Sequence, residues 1–253
     1  MSGHSKWSTI KHKKAATDAK KGAVFTRLAR EVTIAARQGH SGDPAMNFRL
    51  RLIMDKAKAA NMPSDNVERA IKKGLGTAGD GIVLEEITYE GYAPGGAAIM
   101  LMTLTDNRNR TAAEVRATFS RAGGNLGESG SVAWNFESKA VVTVDDVAAD
   151  DAEEIELAAI DAGADDFKVD ERTLEITGPP SALQPIIECV EQRGFTPSNA
   201  TVTMVPKTLM ELDTSHASQT MRLIDKIEDL DDIQEVYTNA DFTEEAIEQY
   251  GSS

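Results

Sequence analysis

The sequence predicts an α+β protein: an N-terminal three-helix domain followed by two ferredoxin-like α/β domains, one inserted in the other. Three observations predict it. Apolar residues recur at helical spacing up to about residue 73. Four glycines (Gly74, Gly76, Gly79 and Gly81) then interrupt the pattern. Beyond them, β-branched runs alternate with helical ones. The expected division is a basic helical domain at 1–73, a glycine-rich linker at 74–81 and an α/β domain built from 82–137 plus 206–240. An inserted unit at 138–205 and an acidic tail at 241–253 complete it.

The first helix is expected from about Thr17. At 100° per residue, Val24, Phe25, Leu28, Val32 and Ala35 share one sector, and Lys20, Arg27, Arg30 and Arg37 lie roughly opposite. Lys21 falls near the apolar sector and would have to snorkel. Gln38 to Pro44 reads as a turn. A second helix is expected from about Ala45 to Ala60, with Met46, Leu50, Ile53, Met54, Ala57 and Ala60 facing inward. Asn61-Met62-Pro63 stops it. Asp65-x-x-Glu68 reads as a capping box for a third helix, with Ser64 an alternative cap and Gly74 its end.

After the linker, Ile82–Tyr92 and Ala97–Leu104 read as strands joined by the turn Pro94-Gly95-Gly96. Thr111-x-x-Glu114 reads as a second capping box, for a helix burying Val115, Phe119 and Ala122. Ser131–Phe136 reads as a strand. Next come a strand at 139–144, a helix at 151–162, a hairpin at 166–177, a helix at 182–193 and a strand at 201–205. That order, βαββαβ, is the ferredoxin-like pattern. A later helix with a Met221, Ile224, Ile227, Leu230 stripe and a strand at 233–238 find partners only in the strands before Phe136, hence the insertion. Asp241–Ser253 is expected to fray, with at most a turn or two of helix at Glu244–Tyr250.

The net charge of −14 hides an asymmetry. Residues 1–80 carry 16 Lys and Arg against 7 Asp and Glu, while the remainder carries 11 against 34. A basic module joined to an acidic body is the pattern of a polyanion binder. The single cysteine, Cys189, excludes an internal disulfide and a multi-cysteine zinc site, and its apolar surroundings suit a buried, inert thiol. No apolar run is long enough for a membrane span, and the N-terminus lacks a signal core, so the cytoplasm is the expected compartment. No nucleophile elbow, phosphate loop or zinc-protease motif is present. His4, His12, His40 and His216 share no metal-ligand spacing. The expectation is therefore no catalytic residue, no metal, no cofactor and no small-molecule substrate.

Two groups of residues are candidates for contacting nucleic acid. The first is the basic arm and first helix: Lys6, Trp7, Lys11, His12, Lys13, Lys14, Lys20, Lys21, Arg27, Arg30 and Arg37. A solvated basic face on an ordinary helix explains the charge row equally well. The second is Arg108 and Arg110, near Arg116 and Arg121, a local cluster in an otherwise acidic domain. The loop Asp106–Arg110 precedes a helix start, where guanidinium groups and free N–H groups could share a phosphate. Solvated, helix-supporting arginines are the competing account.

Several stretches carry a family resemblance. They are Gly3-His4-Ser5-Lys6-Trp7, Ile10-Lys11-His12-Lys13-Lys14-Ala15-Ala16 and Lys56-Ala57-Lys58-Ala59-Ala60-Asn61-Met62-Pro63. Further on come Glu90-Gly91-Tyr92-Ala93-Pro94-Gly95-Gly96, Leu104-Thr105-Asp106-Asn107-Arg108-Asn109-Arg110-Thr111 and Gly124-Asn125-Leu126-Gly127-Glu128-Ser129-Gly130-Ser131-Val132-Ala133-Trp134. Together they resemble the YebC/PmpR family over nearly the whole chain. Phe48 stands where that family usually has proline, and the loop Gly39–Pro44 is not its commonest form. The resemblance implies three domains, one of the α/β pair inserted in the other, and no catalytic residues. It also implies a DNA-binding transcriptional regulator. Related members, including a mitochondrial translational activator branch, imply a ribosomal RNA contact instead. The basic arm lacks helix-turn-helix spacing and a dimer seam, which leans toward the ribosome.

Overall fold

The computed structural model describes residues 18–76, 84–170 and 172–251. Most of the linker, and all of the arm before Asp18, lie outside the described residues.

The helical domain comprises α1 (Asp18–Gln38), α2 (Phe48–Ala59) and α3 (Ser64–Gly74). Leu28, Val32 and Ala35 of α1 pack with Leu50, Ile53 and Ala57 of α2 and with Val67 and Ala70 of α3. Asn47 caps α2 by accepting the Leu50 N–H at 3.0 Å, and its amide donates to Ala35 O at 2.7 Å. One side chain thus starts α2 and ties it to α1. Met46, expected on the inner face of α2, lies before the cap and is 81% exposed. α3 begins after Pro63 with no side-chain cap, so neither Asp65 nor Ser64 plays the expected role. Asp65 sits in the first turn, where its charge suits the helix dipole. Gly74 is not the terminator but the last helical residue, buried against α1. A Cβ there would stand 2.2 Å from Thr33 O, so only glycine permits this approach. Gly76, at φ 72°, takes the left-handed position after the helix.

The central domain contains β1 (Glu85–Tyr92), β2 (Ala98–Thr105), α4 (Arg108–Arg121) and β3 (Asn125–Leu126). The inserted domain follows with β4 (Phe136–Val144), α5 (Ala149–Asp161), β5 (Asp166–Asp170), β6 (Thr173–Gly178), α6 (Leu183–Gln192) and β7 (Asn199–Pro206). The chain then returns through β8 (Met210–Glu211), α7 (Thr214–Glu228), β9 (Ile233–Thr238), β10 (Ala240–Asp241) and α8 (Glu244–Gly251). The first sheet has the order β3-β1-β2-β9, so its last strand comes from the far side of the insertion. The second sheet has the order β5-β6-β4-β7 with every neighbour antiparallel, the ferredoxin-like arrangement.

β2 is buried along almost its whole length, which its unbroken apolar run requires. Ile99 and Leu101 face a core with Val115 and Phe119 of α4 and Met221 and Ile224 of α7. Ala98 and Met100 face the other way, against Val132, Phe136 and Met204 at the insertion. The chain end does not fray up to Gly251: Phe242, Ala246 and Ile247 are buried in the first core, and Tyr250 donates to Asp225 Oδ2 at 2.6 Å.

Two further expectations are corrected. The cap of α4 is Asn107, which accepts the Arg110 N–H at 3.1 Å, and Thr111 lies inside the helix. Residues 131–135 form no strand. The N–H groups of Val132 and Ala133 turn inward to the Glu90 carboxylate, those of Ser131 and Asn135 close local turns on Glu128 O and Val132 O, and Ala133–Asn135 makes a single 3-10 turn in place of a ladder.

Gly74→Ala is expected to lower stability by about 1–3 kcal/mol, the usual cost of forcing an atom into a packed contact. Thermal or urea unfolding of the full chain measures it; an unchanged midpoint would show that α1 and α3 can separate without loss.

Candidate nucleic-acid interface

Arg30 and Arg110, one from each group of arginines, meet at one carboxylate. Asp232 stands in the turn between α7 and β9 and is 2% exposed. Arg30 of α1 reaches its Oδ1 at 2.8 Å, and Arg110 of α4 reaches its Oδ2 at 2.7 Å. The hydroxyls of Thr111 and Thr105 donate to the same Oδ2 at 2.7 and 3.1 Å. Arg30 also donates to Asp231 O at 2.5 Å, and Arg110 to Asp106 Oδ1 at 3.0 Å. Burial opposes ionisation of Asp232, but the hydrogen bonds from Arg110, Thr111 and Thr105, with the charge of Arg30, outweigh it. The carboxyl is held below its ordinary range.

This junction docks the helical domain on the central one. Arg37 donates to Leu84 O at 3.3 Å, Gln38 to Glu86 at 3.1 Å, and Arg49 pairs with Glu86 at 3.3 Å. Leu52 of α2 packs against the core of the inserted domain. The glycine-rich joint is thus bridged by polar contacts on the α1 side. Between α1, α3 and the central domain lies an open cleft of about 370 Å³, lined by Phe25, Met62, Arg30, Arg69, Lys73 and Asp106 among others.

The expected site residues are placed as follows. Lys6, Trp7, Lys11, His12, Lys13 and Lys14 lie outside the described residues. Lys20 and Lys21 lie in the first turn of α1, and their side chains are not among those described. Arg27 is half-buried; with Lys56 and Arg49 it favours the charged form of Glu31, whose carboxyl burial nonetheless pushes up. Arg30 and Arg37 are engaged with the central domain rather than held out in a row. Arg110 is bound to Asp106 and Asp232. Arg108 is 69% exposed at its side chain, with only a long 3.6 Å pairing to Glu85. The N–H of Arg110 that could have met a phosphate is taken by Asn107. The sequence reading missed Asp232 altogether. Next to Asp231 at a helix end it reads as a solvated acid, and nothing local marks it as the partner of residues so distant. It also missed Arg69 and Lys73, which line the cleft.

Among the described residues no group of three or more His, Cys, Asp or Glu is placed to hold a metal ion. No described helix is long and apolar enough to cross a membrane.

Comparison with known proteins agrees with this architecture. Residues 5–77 match a family model described as the TACO1/YebC protein N-terminal domain, and residues 84–240 match one described as the TACO1/YebC second and third domain. A protein of Chloroflexus aggregans named "Probable transcriptional regulatory protein" is 52% identical over 253 residues, 100% of both chains. One of the same name from Geotalea uraniireducens is 49% identical over 98% of this chain and 99% of its own. A crystal structure of a conserved hypothetical protein from Aquifex aeolicus superposes with a TM-score of 0.77 at 41% identity, covering 90% of this chain and 93% of that one.

Asp232→Asn is expected to cost about 2 kcal/mol, less than the roughly 3–5 kcal/mol of a fully buried pair because the two arginines keep solvent contact. The carboxyl is depressed in the folded state, so its contribution is present above the unfolded pKa of about 3.9 and is lost as pH falls through the folded value. The difference in melting temperature between wild type and variant should therefore shrink as pH drops below about 4. Glu31→Gln has the opposite sign. Its raised carboxyl costs stability at neutral pH, so the variant should melt higher at pH 7, with the gap closing toward the unfolded value of about 4.3.

Proposed function

The chain belongs to the TACO1/YebC family, and from that premise we propose that it is a non-enzymatic, cytoplasmic, nucleic-acid-binding regulator of gene expression, contacting DNA as a transcriptional regulator. The single observation that carries the reading is the convergence at Asp232. It holds α1 of the helical domain beside the first turn of α4, which carries Arg108 and Arg110, with a cleft alongside, and this supports a single surface for the two cationic groups. Such a surface neutralises phosphates on a backbone that tracks across two domains. The names carried by the relatives agree with it. In this reading Lys6, Lys11, Lys13, Lys14, Lys20, Lys21, Arg27 and Arg108 meet phosphate, with Trp7 and His12 beside them. Arg30, Arg37 and Arg110 position the domain.

A second reading, contact with ribosomal RNA, is favoured by one feature. A groove-reading helix presents its N-terminal residues to base edges. Here the helix after the second interhelical turn, α3, opens with Asp65, and Glu68 follows on its exposed side. Acids there suit a protein that reads backbone and shape rather than operator sequence.

Replacing Lys11, Lys13 and Lys14 together with Ala should weaken binding to a mixed-sequence duplex and lower the slope of log K against log salt by about 2–3, roughly one per lost contact. Arg108→Ala should lower it by about 1. Equal slopes in all three proteins would refute the basic interface. Crosslinking in cells separates the two readings by the recovered nucleic acid, promoter DNA or ribosomal RNA.

A further inference from the structure

Two aromatic rings stand exposed side by side: Tyr92 at the end of β1, and Trp134 on the loop before β4, which is held rigid from beneath. Glu90 of β1 is 4% exposed and accepts three backbone N–H groups: Gly130 at 2.7 Å, Val132 at 2.8 Å and Ala133 at 2.8 Å. Gly127 donates to the Glu90 carbonyl at 2.8 Å. The next residue beyond the loop's tip, Asn135, is 2% exposed and locked to Thr208 by bonds of 3.1 and 3.0 Å. Between these anchors the Ser131 carbonyl accepts from two side chains at once, the Tyr92 hydroxyl at 2.8 Å and the Trp134 indole N–H at 2.9 Å. The rings are therefore neighbours. Trp134 is 66% exposed and Tyr92 is 37% exposed.

The contacts above leave these rings in a specific state. A large aromatic left in water is normally hidden or mobile. Here a buried carboxylate and a paired asparagine hold the backbone that carries it, so the side-chain entropy of a binding event is already reduced. Both polar handles are spent on one carbonyl, so the rings offer faces rather than donors. A peptide backbone laid on them would lack a donor for its carbonyls, whereas a nucleobase needs only a π-face to stack on. Two exposed cations stand on backbone segments next to those that carry the rings. Arg121 closes α4 just before the turn into Asn125, the pairing partner of Tyr92. Lys207, exposed, donates its N–H to Asn135 O at 2.7 Å. Glu128 lies on the same loop and would repel the dense phosphates of a duplex more than the single phosphate of a splayed nucleotide.

We propose that Tyr92 and Trp134 form a stacking platform for an unpaired nucleobase, a contact separate from the basic surface of the helical domain. It rests on the nucleic-acid reading above and adds to it that the ligand carries a single-stranded or flipped-out base.

The test uses the full chain with Trp7→Phe, which leaves Trp134 as the sole tryptophan of the two in the sequence. A six-nucleotide oligouridine and a six-nucleotide oligoadenosine, each labelled at one end, are titrated while anisotropy reports binding and tryptophan emission reports stacking. Quenching that tracks binding is expected, stronger for the purine. Trp134→Ala in the same background should weaken binding about tenfold, the scale of one base–aromatic stack, with the salt slope unchanged. Trp134→Phe should retain most of the affinity. If the alanine variant proves unstable, Trp134→Leu keeps the apolar bulk without a π-face and should show the same loss. Oligonucleotide binding with a normal salt slope, unchanged emission and no effect of Trp134→Ala would overturn the platform and leave the basic interface standing. Absence of any binding by the chain with Trp7 intact, read by anisotropy alone, would overturn both. Quenching by a proline-rich peptide and not by either oligonucleotide would assign the platform to a protein partner and overturn the proposal.

Discussion

The Asp232 carboxylate is the point on which the arrangement of domains depends. It lies in a turn of the central domain, yet it takes bonds from α1 of the helical domain, from the first turn of α4 and from the end of β2. An ion pair this buried is ordinarily a poor bargain because both charges must leave water. Here the desolvation is limited to one partner. Asp232 is hidden, but Arg30 and Arg110 remain 23% and 43% exposed at their side chains. The two threonine hydroxyls fill acceptor sites that the arginines leave open. The result is orientation: the helical domain is set at a particular place on the edge of the first sheet, where apolar burial alone would allow sliding.

That orientation changes what the basic residues of α1 do. From charge alone, Arg27, Arg30 and Arg37 form a row against solvent. In the structure Arg30 and Arg37 point at backbone carbonyls and acids of the central domain. Arg69 and Lys73 of α3, by contrast, line the cleft. Arg108 and Arg110 divide in the same way despite their spacing. Arg110 is drawn to Asp232 while Arg108 remains largely exposed. Helical residues two apart face different directions, so a pair of similar side chains acquires different roles from geometry alone.

The order of elements was legible in the sequence because period and punctuation are local. The βαββαβ unit, the return of a helix and strand to an earlier sheet, and the helical stripes of the first domain all follow from spacing. The errors concentrate at element ends, where a side chain chooses between local and distant partners. Thr111 fits a capping box in sequence, but its hydroxyl is drawn to Asp232, and Asn107 caps the helix four residues earlier. Residues 131–135 alternate like a strand, but Glu90 captures the N–H groups of Val132 and Ala133. Of the site, the cationic residues were visible and their allocation was not. Charge is a property of composition, whereas allocation depends on an acid about two hundred positions further along the chain.

Both displaced elements have the same physical origin. A buried carboxylate must find donors, and it takes them from whatever backbone or hydroxyl is near. Asp232 takes hydroxyls from Thr105 and Thr111; Glu90 takes three amides from one loop. For Glu90 too, burial raises the carboxyl and the three N–H groups more than offset it, so the group stays ionised below the usual range. In each case the acid converts a segment that would otherwise be regular or mobile into a fixed platform, with Arg108 beside one and Trp134 above the other. On the proposed nucleic-acid reading, this is how an acidic body would present defined contacts to an anionic polymer. Its net charge keeps phosphate at a distance, and the buried acids set the few places where a cation or an aromatic face is held in position.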